Sequence, residues 1–188
     1  MALGLLDDVL AGFPEALPQD THRADELAAE AAELWGERGG ILRRRGSLDA
    51  ALASYRRGAF YEEARELPAT YNRLNALKLA LMIGESRLTD LADELGTLRD
   101  SLANRLATDE VAADDAWLWA DLADTRLLLG DIAGAELAYR SFIDRARTDS
   151  PDVTLSVLRD LLDQLEKNGD PAAPALRQSA AHIERVLA

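Results

Sequence analysis

Trp35–Arg56 reads WGERGGILRRRGSLDAALASYR, and Trp119–Arg140 reads WADLADTRLLLGDIAGAELAYR. Trp35, Gly46, Ala51 and Tyr55 return as Trp119, Gly130, Ala135 and Tyr139. In both windows the tryptophan leads the glycine by 11 residues, the alanine by 16 and the tyrosine by 20. Self-similarity of this kind marks stacked helical hairpins. The glycine stands where one helix must stop and the next begin, and the alanine and tyrosine repeat at helical spacing beyond it.

Outward from these windows the chain reads as helix throughout. Hydrophobic residues make up 48% and aromatic residues only 5%, so the core must be built from Leu and Ala, both strong helix formers. At 188 residues the chain has the length of one domain or one small helical array, and it can bury a core without staples. Leu3 to Leu10 suits a short helix, and Pro14 and Pro18 make the stretch to Asp20 a connector. Asp20 or Thr21 is placed to cap a helix carrying Leu27, Ala31, Leu34, Arg38, Ile41 and Leu42. Gly39 and Gly40 inside it cost about 2 kcal/mol relative to alanine, which argues that a neighbouring helix comes close there.

Ser47 is the expected cap of the next helix, whose buried stripe is Leu48, Ala51, Leu52 and Tyr55, and Glu66-Leu67-Pro68 the turn after it. Thr70 opens a helix to Ile83, Gly84 ends it, and Ser86 is the expected cap of a long helix from Arg87 to about Ala107. Its leucines at 88, 91, 95, 98, 102 and 106 form one apolar stripe. A polar segment, Thr108 to Asp115, precedes a pair from Ala116 to Leu129 and from Ile132 to Arg147. A terminal pair runs from Asp152 to Lys167 and from Pro171 to Leu187. The pattern predicts eight or nine helices and no strand.

Charge and composition exclude several functions. Lys and Arg number 21 against 34 Asp and Glu, a net charge of −13. Phosphate binding requires cations, so general nucleic-acid binding is not expected, nor is adhesion to an anionic membrane. The chain has no cysteine, which excludes disulfides and thiolate metal sites. The segment MALGLLDDVLAGF has no basic n-region and no apolar run approaches a membrane span, so a cytoplasmic protein is expected. No catalytic motif is present: no GxSxG, no phosphate-binding glycine loop, no HExxH. His22 and His182 read as surface or packing residues. Asp114, Asp115, Asp121 and Asp124 match no metal-loop spacing. Neither an enzyme nor a metal or cofactor site is expected.

The repeat resembles the tetratricopeptide family. Trp35, Gly39, Gly46, Ala51, Tyr55 and Gly58 fit its motif positions, as do Trp119, Leu122, Ala123, Gly130, Ala135 and Tyr139. The resemblance implies an all-α, TPR-like superhelical array of antiparallel helix hairpins forming one domain over 1–188. Its parts are an N-terminal helix and linker (1–19), a first repeat (20–63), an enlarged hairpin (64–107), a second clear repeat (112–148) and a terminal hairpin (151–188). The windows lie 84 residues apart, against 68 for two 34-residue periods, so the array is degenerate. YRRGAFYEEA, TYNRLNALKLALMIG and AWLWADLADTRLLLGD together also resemble the TRAFs-binding helical regulatory region of stress-activated kinase kinases and its bacterial relatives. Tyr71, Asn72, Asn75, Ala76 and Gly84 are the matching positions. That resemblance implies a non-catalytic, protein-binding module of a regulatory, signalling or defence pathway.

The expected partner-binding residues are Arg43, Arg44, Asn72, Asn75, Trp117, Asp121 and Asp124. The run from Trp35 to Arg57 holds six arginines against Glu37 and Asp49. Arg43 to Arg45 close a helix, where cations complement the dipole. In the groove that the family's arrays form, motif position turns Arg43 and Arg44 inward with Glu33 and Gly36, where they would grip a partner's carboxylates bidentately. Asn72 caps a helix, faces solvent or, on the groove wall, meets the partner. Asn75 either clamps a peptide backbone or bonds a neighbouring helix. Trp117 lies about 200° round its helix from Trp119, so it faces the groove or packs on the preceding long helix, with Asp121 and Asp124 on the candidate groove face. Leu155, Leu158, Leu161, Leu162 and Leu165 suggest docking of a second copy. The functional expectation is an adaptor or scaffold for a protein or peptide; the alternative is a sensor of a small anion or peptide in the same groove.

Overall fold

The computed structural model describes residues 2–13, 21–65, 70–146 and 150–187, with the side chains of 2, 21, 150–155 and 187 outside that description. The predicted connector from Pro14 to Asp20, the Asp20 cap and the turn at Glu66-Leu67-Pro68 lie outside the described residues. Among those described the chain is all helix, with no strand. Ten α-helices occur where eight or nine were expected: α1 (Ala2–Ala11), α2 (Thr21–Arg44), α3 (Leu48–Ala64), α4 (Tyr71–Met82), α5 (Ala92–Thr108), α6 (Glu110–Asp114), α7 (Ala116–Leu128), α8 (Ile132–Arg145), α9 (Ser150–Lys167) and α10 (Ala173–Leu187). The chain divides into two compact units, Met1–Leu79 and Ala80–Ala188, with the divide inside α4.

The hairpin turns are made by backbone chemistry. Gly46 and Gly130 both adopt positive φ, 75° and 78°, a conformation that L side chains resist. At each, the chain folds back in the same way. Gly46 donates to the Arg43 carbonyl and Ser47 to that of Leu42, as Gly130 does to Leu127 and Asp131 to Arg126. This Schellman pattern satisfies carbonyls that a helix end would leave open. Gly84 and Gly169 end α4 and α9 by the same bonds.

In the first unit α2 packs along α3. Ala51, Leu52 and Tyr55 are buried on α3, as expected, while Leu48 is only half-buried. A Cβ on Gly39 would stand 2.9 Å from the Tyr55 ring, so the predicted close approach is real, and Gly39 makes the notch that the ring fills. Ser47 occupies the N-cap position of α3 but its side chain makes no cap hydrogen bond. α1 is tied in by Arg38, whose Nε donates to Asp7 at 2.7 Å and whose guanidinium reaches the Ser54 hydroxyl at 2.6 Å.

In the second unit α7 packs along α8, again with a buried Ala135 and Tyr139. The polar segment before α7 contains α6, a single turn missed in the sequence. Asp109 caps it by accepting from Val111 and Ala112, and Asp115 caps α7 by accepting from Trp117. The long helix after Gly84 begins differently from expectation. Arg87, not Ser86, is its N-cap, and Leu88–Leu91 form a 3-10 turn before α5. Asp90 accepts from the Arg87 backbone, and the Leu88 N–H donates to Asp170, 82 residues on. Leu88, Leu95, Leu98, Leu102 and Leu106 are buried as the stripe predicted, and Leu91 is half-buried.

Leu158, Leu161, Leu162 and Leu165 are each no more than 2% exposed. They belong to the chain's own core, which corrects the expectation that they dock a second copy; the Leu155 side chain lies outside the described residues. The facing helix α10 contributes Ala173, Leu176, Ala180 and Ile183 to the buried set.

The two tryptophans stand in comparable settings. Each is half-buried and each lies under a guanidinium: Arg38 at 5.5 Å from the Trp35 ring centroid, Arg145 at 5.0 Å from that of Trp119. Trp35 packs against the cluster of Ala28, Ala31, Ala32 and Tyr61. Trp119 additionally donates its ring N–H to the Ala113 carbonyl at 2.9 Å.

Candidate functional site

The expected partner-binding residues are shared between the two units. Arg43, Arg44, Asn72 and Asn75 belong to the first unit, and Trp117, Asp121 and Asp124 to the second.

Asn72 is an architectural residue, not a groove residue. It is 2% exposed. Its amide nitrogen donates to the Ala32 carbonyl at 2.9 Å and to the Glu62 carboxylate at 2.8 Å, so one side chain ties α4 to both α2 and α3. Gly36 and Gly58 make the room: a Cβ on Gly36 would lie 2.9 Å from the Asn72 side-chain oxygen, and one on Gly58 would collide with the amide. Glu62, also buried, is the partner that sequence reasoning missed. Burial pushes its carboxyl above the ordinary glutamate range, against the bonds from Asn72. No periodicity signals this pair, because the bond spans two helices and the sequence shows only one more Glu in YEEA. Asn75 does not bond a neighbouring helix. Its amide turns back to the Tyr71 carbonyl of its own helix at 2.9 Å.

Asp124 is likewise withdrawn from any open face. It is 4% exposed and accepts a hydrogen bond from Tyr139, itself 1% exposed. Burial and the adjacent carboxylate hold the Tyr139 hydroxyl well above its usual range, so it remains a donor. Asp121 is half-buried, with its carbonyl taken by the Thr125 hydroxyl at 2.7 Å. Trp117 is 53% exposed and leans on Phe142 of α8, ring centroids 5.7 Å apart. Among the described residues no group of three or more His, Asp or Glu side chains is arranged to hold a metal. Asp115 and Asp124 have the capping and tyrosine-bonding roles given above.

Arg43 and Arg44 remain in reach of solvent, Arg43 half-buried and Arg44 exposed. Among the described residues neither makes an ion pair or hydrogen bond through its side chain, whereas Arg38, Arg65 and Arg73 of the same unit each have a carboxylate. The helix end does not need them. Arg45, Gly46 and Ser47 N–H groups already satisfy the carbonyls of Ile41, Leu42 and Arg43.

Beside these arginines lie two phenols. Tyr55 is 1% exposed and its hydroxyl sits 3.5 Å from that of Tyr71, which is 48% exposed. The rings meet edge to face at 5.8 Å. Burial, then Tyr71, raises the Tyr55 hydroxyl far above its ordinary value, while Arg43 and Arg44 pull it the other way. The floor of this corner is Gly40. A Cβ there would lie 3.4 Å from an Arg44 guanidinium nitrogen, 3.6 Å from the Tyr55 hydroxyl and 3.9 Å from the Tyr71 hydroxyl. Arg44, Tyr55 and Tyr71 therefore converge over a residue with no side chain. The sequence singled out the arginines; it did not bring Tyr71 to them.

Comparison with protein-family models, curated proteins and solved structures returns no match. No helix among the described residues is long and apolar enough to cross a membrane.

Proposed function

We propose that this chain is a non-catalytic adaptor, with hairpins of the tetratricopeptide type, that binds a protein partner in a regulatory, signalling or defence pathway. One observation carries the proposal. In a chain of net charge −13, Arg43 and Arg44 stand together with no carboxylate partner among the described residues, at a helix end that is already capped. Unspent guanidinium groups in an acidic protein are suited to planar, bidentate recognition of a partner's carboxylates. Half-exposed Tyr71 beside them adds a ring of the kind that anchors interfaces.

The test is a charge reversal. Arg43→Glu with Arg44→Glu should leave the far-ultraviolet circular dichroism unchanged and abolish co-purification of a partner retained by the parent chain. Retention of the same partner by the double variant would refute the assignment of these arginines. The convergence of Arg44, Tyr55 and Tyr71 over Gly40 favours a second reading, a sensor of a small anion. In that case the parent chain gains thermal stability with a carboxylate metabolite, and Arg43→Ala loses that gain.

A further inference from the structure

The two hairpins are related by a shift of 84 residues, and the shift exposes one substitution with chemical content. Trp35 falls on Trp119, Gly39 on Ala123, Tyr55 on Tyr139, and Gly40 on Asp124. In the second hairpin the buried tyrosine hydroxyl finds its acceptor within the chain, because Asp124, the counterpart of Gly40, accepts a hydrogen bond from Tyr139. In the first hairpin the same tyrosine is as deeply buried, yet the residue that would supply the carboxylate is glycine. What surrounds the vacated position is what a carboxylate binds: two phenol groups and a guanidinium. Tyr55 and Tyr71 share at most one hydrogen bond, at 3.5 Å, so one O–H between them is left to donate. Two of the three walls are mobile in kind. Arg44 is an exposed four-rotor side chain and Tyr71 is half-exposed, so both can swing aside without disturbing the buried Tyr55.

We propose that the recess over Gly40 is a binding site for a carboxylate supplied from outside the chain, which accepts from Tyr55 and pairs with Arg44, Arg43 adding positive charge. The bound group does for Tyr55 what Asp124 does for Tyr139. Only the source of the carboxylate rests on the adaptor reading: an acidic side chain of a partner if the protein is an adaptor, a free small carboxylate if it is a sensor.

Acetate and an N-acetylated hexaglutamate peptide are the probes, each titrated into the ¹⁵N-labelled full chain at constant ionic strength with chloride as the exchanged anion. Acetate should move the Gly40 amide and the Tyr55 and Tyr71 ring signals saturably, and chloride should not. Three variants carry the decision. Gly40→Asp places a carboxylate in cis, since a Cβ at this position meets neighbours only at ordinary contact distance; it should fold, raise the melting temperature and abolish binding of both probes. Tyr55→Phe and Arg44→Gln should keep the fold and weaken acetate by about tenfold each, the loss of one charge-assisted bond. A peptide that binds more than about tenfold tighter than acetate, by multivalent engagement, and loses that binding in Gly40→Asp supports the recess and the adaptor together. Acetate bound as tightly as the peptide supports the recess and removes the adaptor. No acetate-specific shift at Gly40, or full binding retained by a folded Gly40→Asp chain, overturns the recess; peptide binding that survives Gly40→Asp does so while leaving an adaptor standing.

Discussion

Replacing Asn72 with alanine should destabilise the protein by an amount that depends on pH. The substitution removes two side-chain bonds, one to a carboxylate at 2.8 Å and one to a backbone carbonyl at 2.9 Å. A bond to a charged group contributes roughly 1.5–3 kcal/mol and a neutral one roughly 0.5–1.5 kcal/mol, and alanine recovers about half a kcal/mol in helix propensity. The expected cost at neutral pH is therefore about 3 kcal/mol, a fall in melting temperature of roughly 6–12 °C for a chain of this size. The pH dependence follows from Glu62. Burial raises its carboxyl, and the Asn72 side chain, ahead of the Asn72 and Arg73 backbone N–H groups, pulls it back down. Removing Asn72 raises it further. A carboxyl raised on folding contributes fully below its unfolded value, about 4.3, and loses that contribution as pH rises through the folded value. The gap between parent and Asn72→Ala should thus be widest near neutrality and should narrow as the pH is lowered toward that unfolded value. Other carboxylates titrate alike in both proteins and cancel in the difference. Paired thermal denaturation at several pH values reads it, and Glu62→Gln should flatten the dependence in both backgrounds. A gap of equal size across the range, or under about 1 kcal/mol, would refute the buried Glu62–Asn72 couple as the clamp of α4.

Three further substitutions separate crowding, buried polarity and tethering. Gly58→Ala should destabilise by about 1–3 kcal/mol despite alanine's better helix propensity, because its methyl group meets the Asn72 amide; Gly96→Ala, in open space on α5, should stabilise by about 0.5–1 kcal/mol, both by calorimetry. Tyr139→Phe should cost about 1.5–3 kcal/mol by withdrawing the donor from buried Asp124, whereas Tyr55→Phe, which removes the long contact to Tyr71, should cost less than about 1 kcal/mol; urea denaturation of the pair compares them directly. Arg38→Ala cuts the ties to Asp7 and Ser54, so amide exchange in α1 should accelerate while protection in α8 stays unchanged.

The hairpins were legible because their signals are local. A glycine at positive φ, an alanine five residues on and a tyrosine four beyond that are spaced by the helix itself, and Gly46 to Tyr55 and Gly130 to Tyr139 obey the same geometry. Caps were less legible because several residues compete for one donor. Ser86 and Ser47 have the right chemistry, yet Asp90 serves the N-terminus of the 3-10 turn and Ser47 makes no side-chain bond. The candidate site was the least legible. Asn72, Asp121 and Asp124 looked available because polar residues usually face water. Their environments depend on partners that sequence distance hides: Ala32 lies 40 residues from Asn72, and Tyr139 lies 15 from Asp124.

Composition and spacing alone determined an all-helical chain, the glycine-turned hairpins and the Gly39 notch in which Tyr55 sits, since these follow from backbone conformation and a repeat of about 3.6 residues. Which polar groups are spent and which are free was decided only on folding. A hydrogen bond between helices depends on where two axes cross, and that crossing buried Asn72 and Asp124, occupied Arg38, and left Arg43 and Arg44 beside two phenols with no carboxylate among the described residues.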